Sequence, residues 1–180
     1  MVAAMFARLS GVVGVALVGL VAMSHLAAAD ECARPVVCFT PGEACTGQVV
    51  AAIQGAQRAI LVQAYSFTAP AIASALIEAH QRGVEVRAVV DAGAARDRRS
   101  QAARLAQAGV PVRVDGRHAI AHNKVMVLDG RVVLTGSFNF TRAAQANNAE
   151  NLLVVEDAAL AARYAANWQR HWAHAEPWRP

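Results

Sequence analysis

His-Asn-Lys-Val-Met-Val-Leu-Asp-Gly-Arg-Val-Val-Leu-Thr-Gly-Ser-Phe-Asn, residues 122 to 139, reads as two short strands folded about a tight turn. The β-rich runs 124–128 and 131–135 are separated by Asp129 and Gly130, a dipeptide favoured in two-residue hairpins. Side chains two apart on a strand share a face, so His122 and Lys124 project together. Ser137 and Asn139 do the same wherever extended geometry persists past Gly136. The turn folds one strand back beside the other and carries both pairs to one end of the sheet. An imidazole, an ammonium, a hydroxyl and an amide then converge: a nucleophile with donors suited to the non-bridging oxygens of a phosphodiester. Lys124 is also the only lysine in the chain.

Outward from this hairpin the pattern is alternating helix and strand. Helical spacing runs over 46–57 with Thr46 as N-cap, and a β-rich run over 59–67 ends at Thr68. Residues 70–82 form the next helix, with Pro70 in its first turn and Gly83 at its end, followed by a strand over 84–91. A basic loop, a helix over 99–108 closed by Gly109, and a strand over 110–114 lead into the hairpin. Beyond it lie a strand over 151–155 and a final helix over about 158–174. Tyr164, Trp168 and Trp172, four apart, share one face of that helix and are expected to pack it onto the sheet. The order implies a single α/β domain over 30–180 with a largely buried sheet between helices.

The chain has 180 residues, of which 56% are apolar, enough to fill one core. Residues 1–29 differ in kind. One charge at Arg8, an apolar run over 9–23 and an Ala27-Ala28-Ala29 stretch read as a secretory signal, an uncleaved membrane anchor being the competing reading. Export to the periplasm or beyond is therefore expected, where disulfides persist. Cys32, Cys38 and Cys45 then allow one local bridge whose pairing spacing does not fix. They lack the CxxC spacing of a zinc site, and no metal or other cofactor is expected. The net charge of +4 and an isoelectric point near 9.5 favour polyanionic partners.

The complete array, HxK, then D, then GSxN, resembles the signature of the phospholipase D superfamily. The likeness extends to AYSFT at 64–68, GSFNFT at 136–141, NAENLLVV at 148–155 and WQRHW at 168–172, and so covers nearly the whole chain after the leader. Those segments look like the small exported bacterial endonucleases of that superfamily. The resemblance implies a mixed sheet between helical layers and a metal-independent diesterase. It casts His122 as the nucleophile that forms a phosphohistidine, Lys124 and Asn139 as holders of the phosphate oxygens, and Ser137 as their support. Glu150 matches the glutamate that bonds the far ring nitrogen of that histidine. Attack needs a neutral imidazole and leaving-group protonation a charged one, while this chain carries one motif copy. A homodimer that places two His122 rings face to face is the expected solution.

Asp129, although part of the array, sits in the turn and is expected to organise it. Asp91 ends a strand and is a candidate to line the cleft, though a turn or cap role is the better expectation. Arg96, Arg98 and Arg99 form a basic loop just beyond, candidates for tracking phosphates. Relatives of the family tend to place lysine directly after the equivalent of Asp91, whereas this chain has Ala92 and Gly93. His118 stands four before His122 in a loop entering a strand, a poor place for a metal pair, and His171 and His174 are expected to be exposed helix residues. The expected substrate is DNA, with RNA second. A phospholipid or cardiolipin phosphodiesterase is the nearest rival, and a non-catalytic nucleic-acid-binding module the rival from another class.

Overall fold

The computed structural model of the chain describes residues 35–179. The expected leader over 1–29 and Cys32 lie outside the described residues. In chain order the elements are β1 (Val36–Thr40), α1 (Cys45–Gly55), β2 (Ala59–Ala64), α2 (Pro70–Gln81), β3 (Glu85–Asp91), α3 (Ala102–Gln107), β4 (Val112–Asp115), β5 (Lys124–Leu128), β6 (Val132–Gly136), α4 (Arg142–Ala146), β7 (Glu150–Glu156), α5 (Ala158–His174) and β8 (Glu176–Pro177). All strands join one eight-stranded sheet in the order β1-β7-β6-β5-β2-β3-β4-β8. The sheet is mixed. β2, β3 and β4 run parallel, which requires crossovers that α2 and α3 supply, and the remaining pairs are antiparallel. No helix among the described residues is long and apolar enough to cross a membrane.

Both faces of the sheet are covered, as the alternation along β5 shows. Met126 and Leu128 join the core built with Ile53 of α1, Ile72 and Leu76 of α2 and Leu105 of α3. Val125 and Val127 turn the other way and pack with Ala161 of α5. Strand period two thus feeds two helical layers, which explains why β5 is buried at every position. Helix α5 is fixed by Trp168, which is 1% exposed and donates its Nε1 hydrogen to the Val62 carbonyl at 2.8 Å. Trp172 stacks on Trp168 with ring centroids 4.9 Å apart and carries the Arg113 guanidinium over its face at 4.4 Å. The aromatic row therefore packs the helix, as its spacing implied.

Several local expectations change. Thr46 lies inside α1 rather than capping it, because the Gln145 side chain reaches in from another element and accepts from Thr46 N at 2.7 Å. Helix α3 begins three residues later than the pattern suggested. Asp97 accepts from Arg99 N at 2.8 Å and Gln101 N donates to the Phe67 carbonyl at 2.9 Å, so the chain ahead of α3 is committed to turns. The strands β1 and β8 and the short α4 were not foreseen. Cys38 and Cys45 form the disulfide, with Cα atoms 5.6 Å apart, tying β1 to the start of α1.

The hairpin follows the sequence closely. Asp129 has φ +53° and Gly130 φ +69°, the left-handed pair that a two-residue turn demands. The Asp129 carboxylate accepts from the backbone N–H groups of Gln57, Arg58 and Ala59 at 2.8 to 3.0 Å. Burial would raise this carboxyl, but those bonds outweigh it and hold it below the usual range. Asp129 thus organises its turn, as expected, and sews it to the entry of β2.

Candidate active site

His122 precedes β5 and is anchored on both sides through its neighbours. Ala121 N donates to Asp91 Oδ1 at 2.9 Å, and Tyr65 N donates to the Asn123 carbonyl at 3.0 Å. Asp91 is 5% exposed, and its other oxygen caps the turn that follows β3 by accepting from Ala94 N at 2.8 Å. The expected cap role therefore holds, with the added task of fixing the segment that carries His122. The His122 residue itself is exposed, and its ring leans on Tyr65 with centroids 4.5 Å apart.

Lys124 is the opposite case. It is only 7% exposed, its ammonium donates to the His122 carbonyl at 2.6 Å and lies 5.0 Å from the centroid of the Tyr65 ring. Desolvation pulls its pKa down, and the negative charge of Glu150 pushes back. A buried ammonium with one backbone partner keeps donors free for an incoming oxyanion.

Strand β6 ends at Gly136, whose φ of +145° departs from strand geometry, so the simple alternation does not carry Ser137 and Asn139 forward. A Cβ at Gly136 would collide with the Asn151 carbonyl oxygen, which only glycine escapes. The chain then passes close under β7. Ser137 Oγ accepts from Asn151 N at 3.0 Å, leaving its own hydrogen to donate. Asn139 Oδ1 is buried without a hydrogen-bond partner.

These residues meet in one open hollow lined by His122, Lys124, Thr135, Ser137, Asn139, Glu150 and Tyr164. Glu150 Oε1 accepts from Asn148 Nδ2 at 3.0 Å; the glutamate shares the hollow with His122 while its recorded partner is the asparagine. A second hollow adjoins the first at Asn139 and is rimmed by Arg99, Arg142, Ser66, Thr68 and Asn148. Of the three expected arginines, Arg99 alone borders it. Arg99 is paired with Asp97 at 2.8 Å, Arg96 lines a separate hollow beside Trp178, and Arg98 is exposed outside both. Arg142 had no signal in one dimension beyond residue type, because its element had to be placed first, whereas Tyr164, read from its spacing as a packing residue of α5, also lines the first hollow.

His171 and His174 correct an expectation. They are 14% and 18% exposed and converge with His118 on the carboxylate of Asp115, which is fully buried. Burial would push the Asp115 carboxyl up, yet the imidazoles around it and the Arg117 N–H hold it well below the usual range. His118 thus belongs to this cluster and makes no pair with His122.

A family model described as "Cardiolipin synthase, PLD-like domain" matches residues 49–172. A protein named phospholipase D from Rickettsia prowazekii is 44% identical over 131 residues, covering 73% of this chain and 64% of that protein. The mitochondrial cardiolipin hydrolase of Xenopus laevis is 38% identical over 123 residues, covering 68% of this chain and 59% of its own length. The chain thus spans less than two thirds of the curated relatives it matches. The crystal structure of Nuc from Salmonella typhimurium, a phospholipase D family member, superimposes with a TM-score of 0.77 at 39% identity, covering 82% of this chain and 100% of that one. NucT from Helicobacter pylori matches in fold, with a TM-score of 0.76 at 22% identity. Family model, sequence likeness and superposition agree along most of the described residues, and the chain belongs to the phospholipase D superfamily.

Proposed function

We propose that this chain is an exported, metal-independent endonuclease that hydrolyses phosphodiester bonds of DNA, with RNA as a second substrate, through a phosphohistidine in a homodimer. One observation carries the choice of a polymer. The hollow that holds His122 opens at Asn139 into a second one rimmed by Arg99 and Arg142, so a polyanion has donors beyond the bond being cut. Contacts of this kind address the backbone and are indifferent to base identity.

In this reading the neutral ring of His122 attacks phosphorus, and a nitrogen–phosphorus bond replaces the bond to the leaving oxygen. That oxygen takes its proton from a second imidazole, the His122 of the partner subunit. Water then attacks phosphorus, gives its proton back to that imidazole, and frees His122. Lys124 and Asn139 hold the non-bridging oxygens and Ser137 donates beside them. Lys124 is already desolvated, so its attraction for the oxyanion is less screened than in water. Glu150 supports the positive charge that His122 gains during transfer. Arg96 and Arg98 are the weaker members of the substrate-binding set, since they border neither hollow.

A lipid diester is the second reading, favoured by the names of the relatives, phospholipase D and cardiolipin hydrolase. A single assay separates the two. Supercoiled plasmid and cardiolipin vesicles are offered to the protein in excess chelator, with His122→Ala alongside and the mass in solution measured. Plasmid nicking by a dimer, absent in the variant, is the expected result. Turnover of vesicles alone would transfer the site to lipid, and a fully active monomer would remove the shared-imidazole mechanism. Export is checked by the amino-terminal sequence of the mature protein, expected to begin near Asp30.

A further inference from the structure

The geometry points to a second site: we propose that Asp115, His118, His171 and His174 bind one divalent transition-metal ion of the zinc class and thereby clamp the segment before His122 to the last turn of α5. Four ligand atoms, one from each residue, lie within 4.8 Å of one another. Asp115 Oδ2 forms the apex, with His171 Nδ1 at 2.7 Å, His118 Nδ1 at 3.1 Å and His174 Nε2 at 3.1 Å. Ligand atoms on a tetrahedral zinc ion, with bonds of about 2.0 to 2.2 Å, are separated by roughly 3.4 Å. Modest rotation of three imidazoles about their own side-chain bonds meets that requirement.

Hydrogen bonding alone leaves the cluster incomplete. His174 Nε2 is buried and, despite its distance from the carboxylate, lacks an aligned hydrogen-bond partner. An orphaned ring nitrogen aimed at a carboxylate already crowded by two other imidazoles is what a cation would satisfy. The surroundings also hold the ligands in place. Asp115 Oδ1 accepts from Arg117 N at 3.1 Å, leaving Oδ2 for the ion. His171 and His174 stand three apart on α5 and therefore share a face. The ring centroids of the three histidines lie 4.9 to 5.4 Å apart, close enough to share one ion.

Three imidazoles with one carboxylate suit zinc, cobalt, nickel or copper, and not magnesium or calcium, which prefer oxygen. The positive rim of Arg117 and Arg170 works against any cation, and the Asp115 carboxylate supplies the compensating charge. His118 lies on the connection that leads from β4 to His122, and His171 and His174 lie on the helix. A bound ion would therefore cross-link the two. The inference stands whichever diester the His122 hollow takes.

The full chain, dialysed against chelator and freed of it, is titrated with cobalt(II) and then with zinc chloride, and its melting temperature is recorded. One equivalent of cobalt should bring up the visible bands of a tetrahedral centre, and zinc should bleach them. Zinc at about 100 times its dissociation constant should raise the melting temperature by roughly 5 to 10 °C, magnesium leaving it unchanged. His118→Ala, at a half-exposed loop position that leaves the core untouched, should weaken binding at least about tenfold, and His174→Ala should do the same. Absence of cobalt bands and of a zinc-dependent shift in the wild-type chain, or unchanged affinity in both variants, would overturn the assignment.

Discussion

His122 and Asp115 stand seven residues apart on one stretch of chain, yet the surroundings of His122 and of the histidines around Asp115 are opposites. The His122 ring is exposed, touches one aromatic ring, and owes its position to backbone anchors on either side. Around Asp115 three rings crowd one fully buried carboxylate, and the side chains themselves are the anchors. A nucleophile must keep a ring nitrogen free, so its position has to be fixed by something other than its own nitrogens. A cross-link spends those nitrogens on holding. Chemistry and stability should therefore separate cleanly when the two regions are altered.

The largest expected effect is on chemistry alone. His122→Ala should lower diester cleavage by at least about four orders of magnitude, the scale for removing a covalent nucleophile. Its unfolding free energy from denaturant melts should stay within about 0.5 kcal/mol of the wild type, because an exposed side chain is lost. A large fall in stability would show that His122 holds structure after all, and the contrast with Asp115 would fail. Lys124→Arg comes next, at roughly 100- to 1,000-fold in cleavage. The buried slot beneath Tyr65 fits a slim ammonium, and a planar guanidinium would have to displace His122 or remain outside. Activity near the wild-type level in that variant would mean that any cation in the hollow suffices.

Asp115→Ala inverts the pattern. It strips an acceptor from the imidazoles of His118 and His171 and from the Arg117 N–H inside the protein, and should cost about 3 kcal/mol of stability. Whatever cleavage it loses at low temperature should follow from the loosened connection ahead of His122. Chemical unfolding followed by tryptophan fluorescence reads this directly, since Trp168 and Trp172 stand on the same helix as His171 and His174. A loss under 1 kcal/mol would place the cluster among surface contacts.

The two regions also differ in how far the sequence reveals them. The array from His122 to Asn139 is local: strand period, one Asp-Gly turn and two short runs bring its members together, so residue types at fixed separations suffice. The Asp115 cluster joins residues 56 positions apart, His171 Nδ1 to Asp115 Oδ2, through the packing of α5 against β4. No spacing rule encodes that meeting, and the histidines at 171 and 174 read as ordinary exposed helix residues until the helix is docked. The same reasoning covers β1 and β8, which are strands because neighbours supply their hydrogen bonds, and α4, whose five residues are too few to show a period. Ser137 and Asn139 reach the hollow although strand alternation stops at Gly136, since β7 recaptures the chain through Asn151. Their place in the hollow therefore depends on β7 as much as on strand period.

Asp129 gives the smallest and most exacting test, because it is a carboxylate saturated with donors, like Asp115, but with no histidine involved. Three backbone N–H groups, from Gln57, Arg58 and Ala59, donate to it. Asn at this position keeps the shape and tolerates the left-handed backbone, so Asp129→Asn isolates the charge. It should cost about 2 kcal/mol at neutral pH, an amount set by charge-assisted bonds at a partly exposed site. The folded pKa lies below the unfolded one. The carboxylate's stabilisation is therefore complete above its unfolded value of about 4 and is lost as pH falls through the lower folded value. The gap between wild type and Asp129→Asn in urea should accordingly be full at pH 7 and shrink as the solution is acidified below pH 4. Cleavage at neutral pH should be unchanged, since the turn lies at the far end of β5 from His122. A gap that stayed constant with pH would trace the cost to the altered amide rather than to the lost charge, and the parallel with Asp115 would then rest on shape alone.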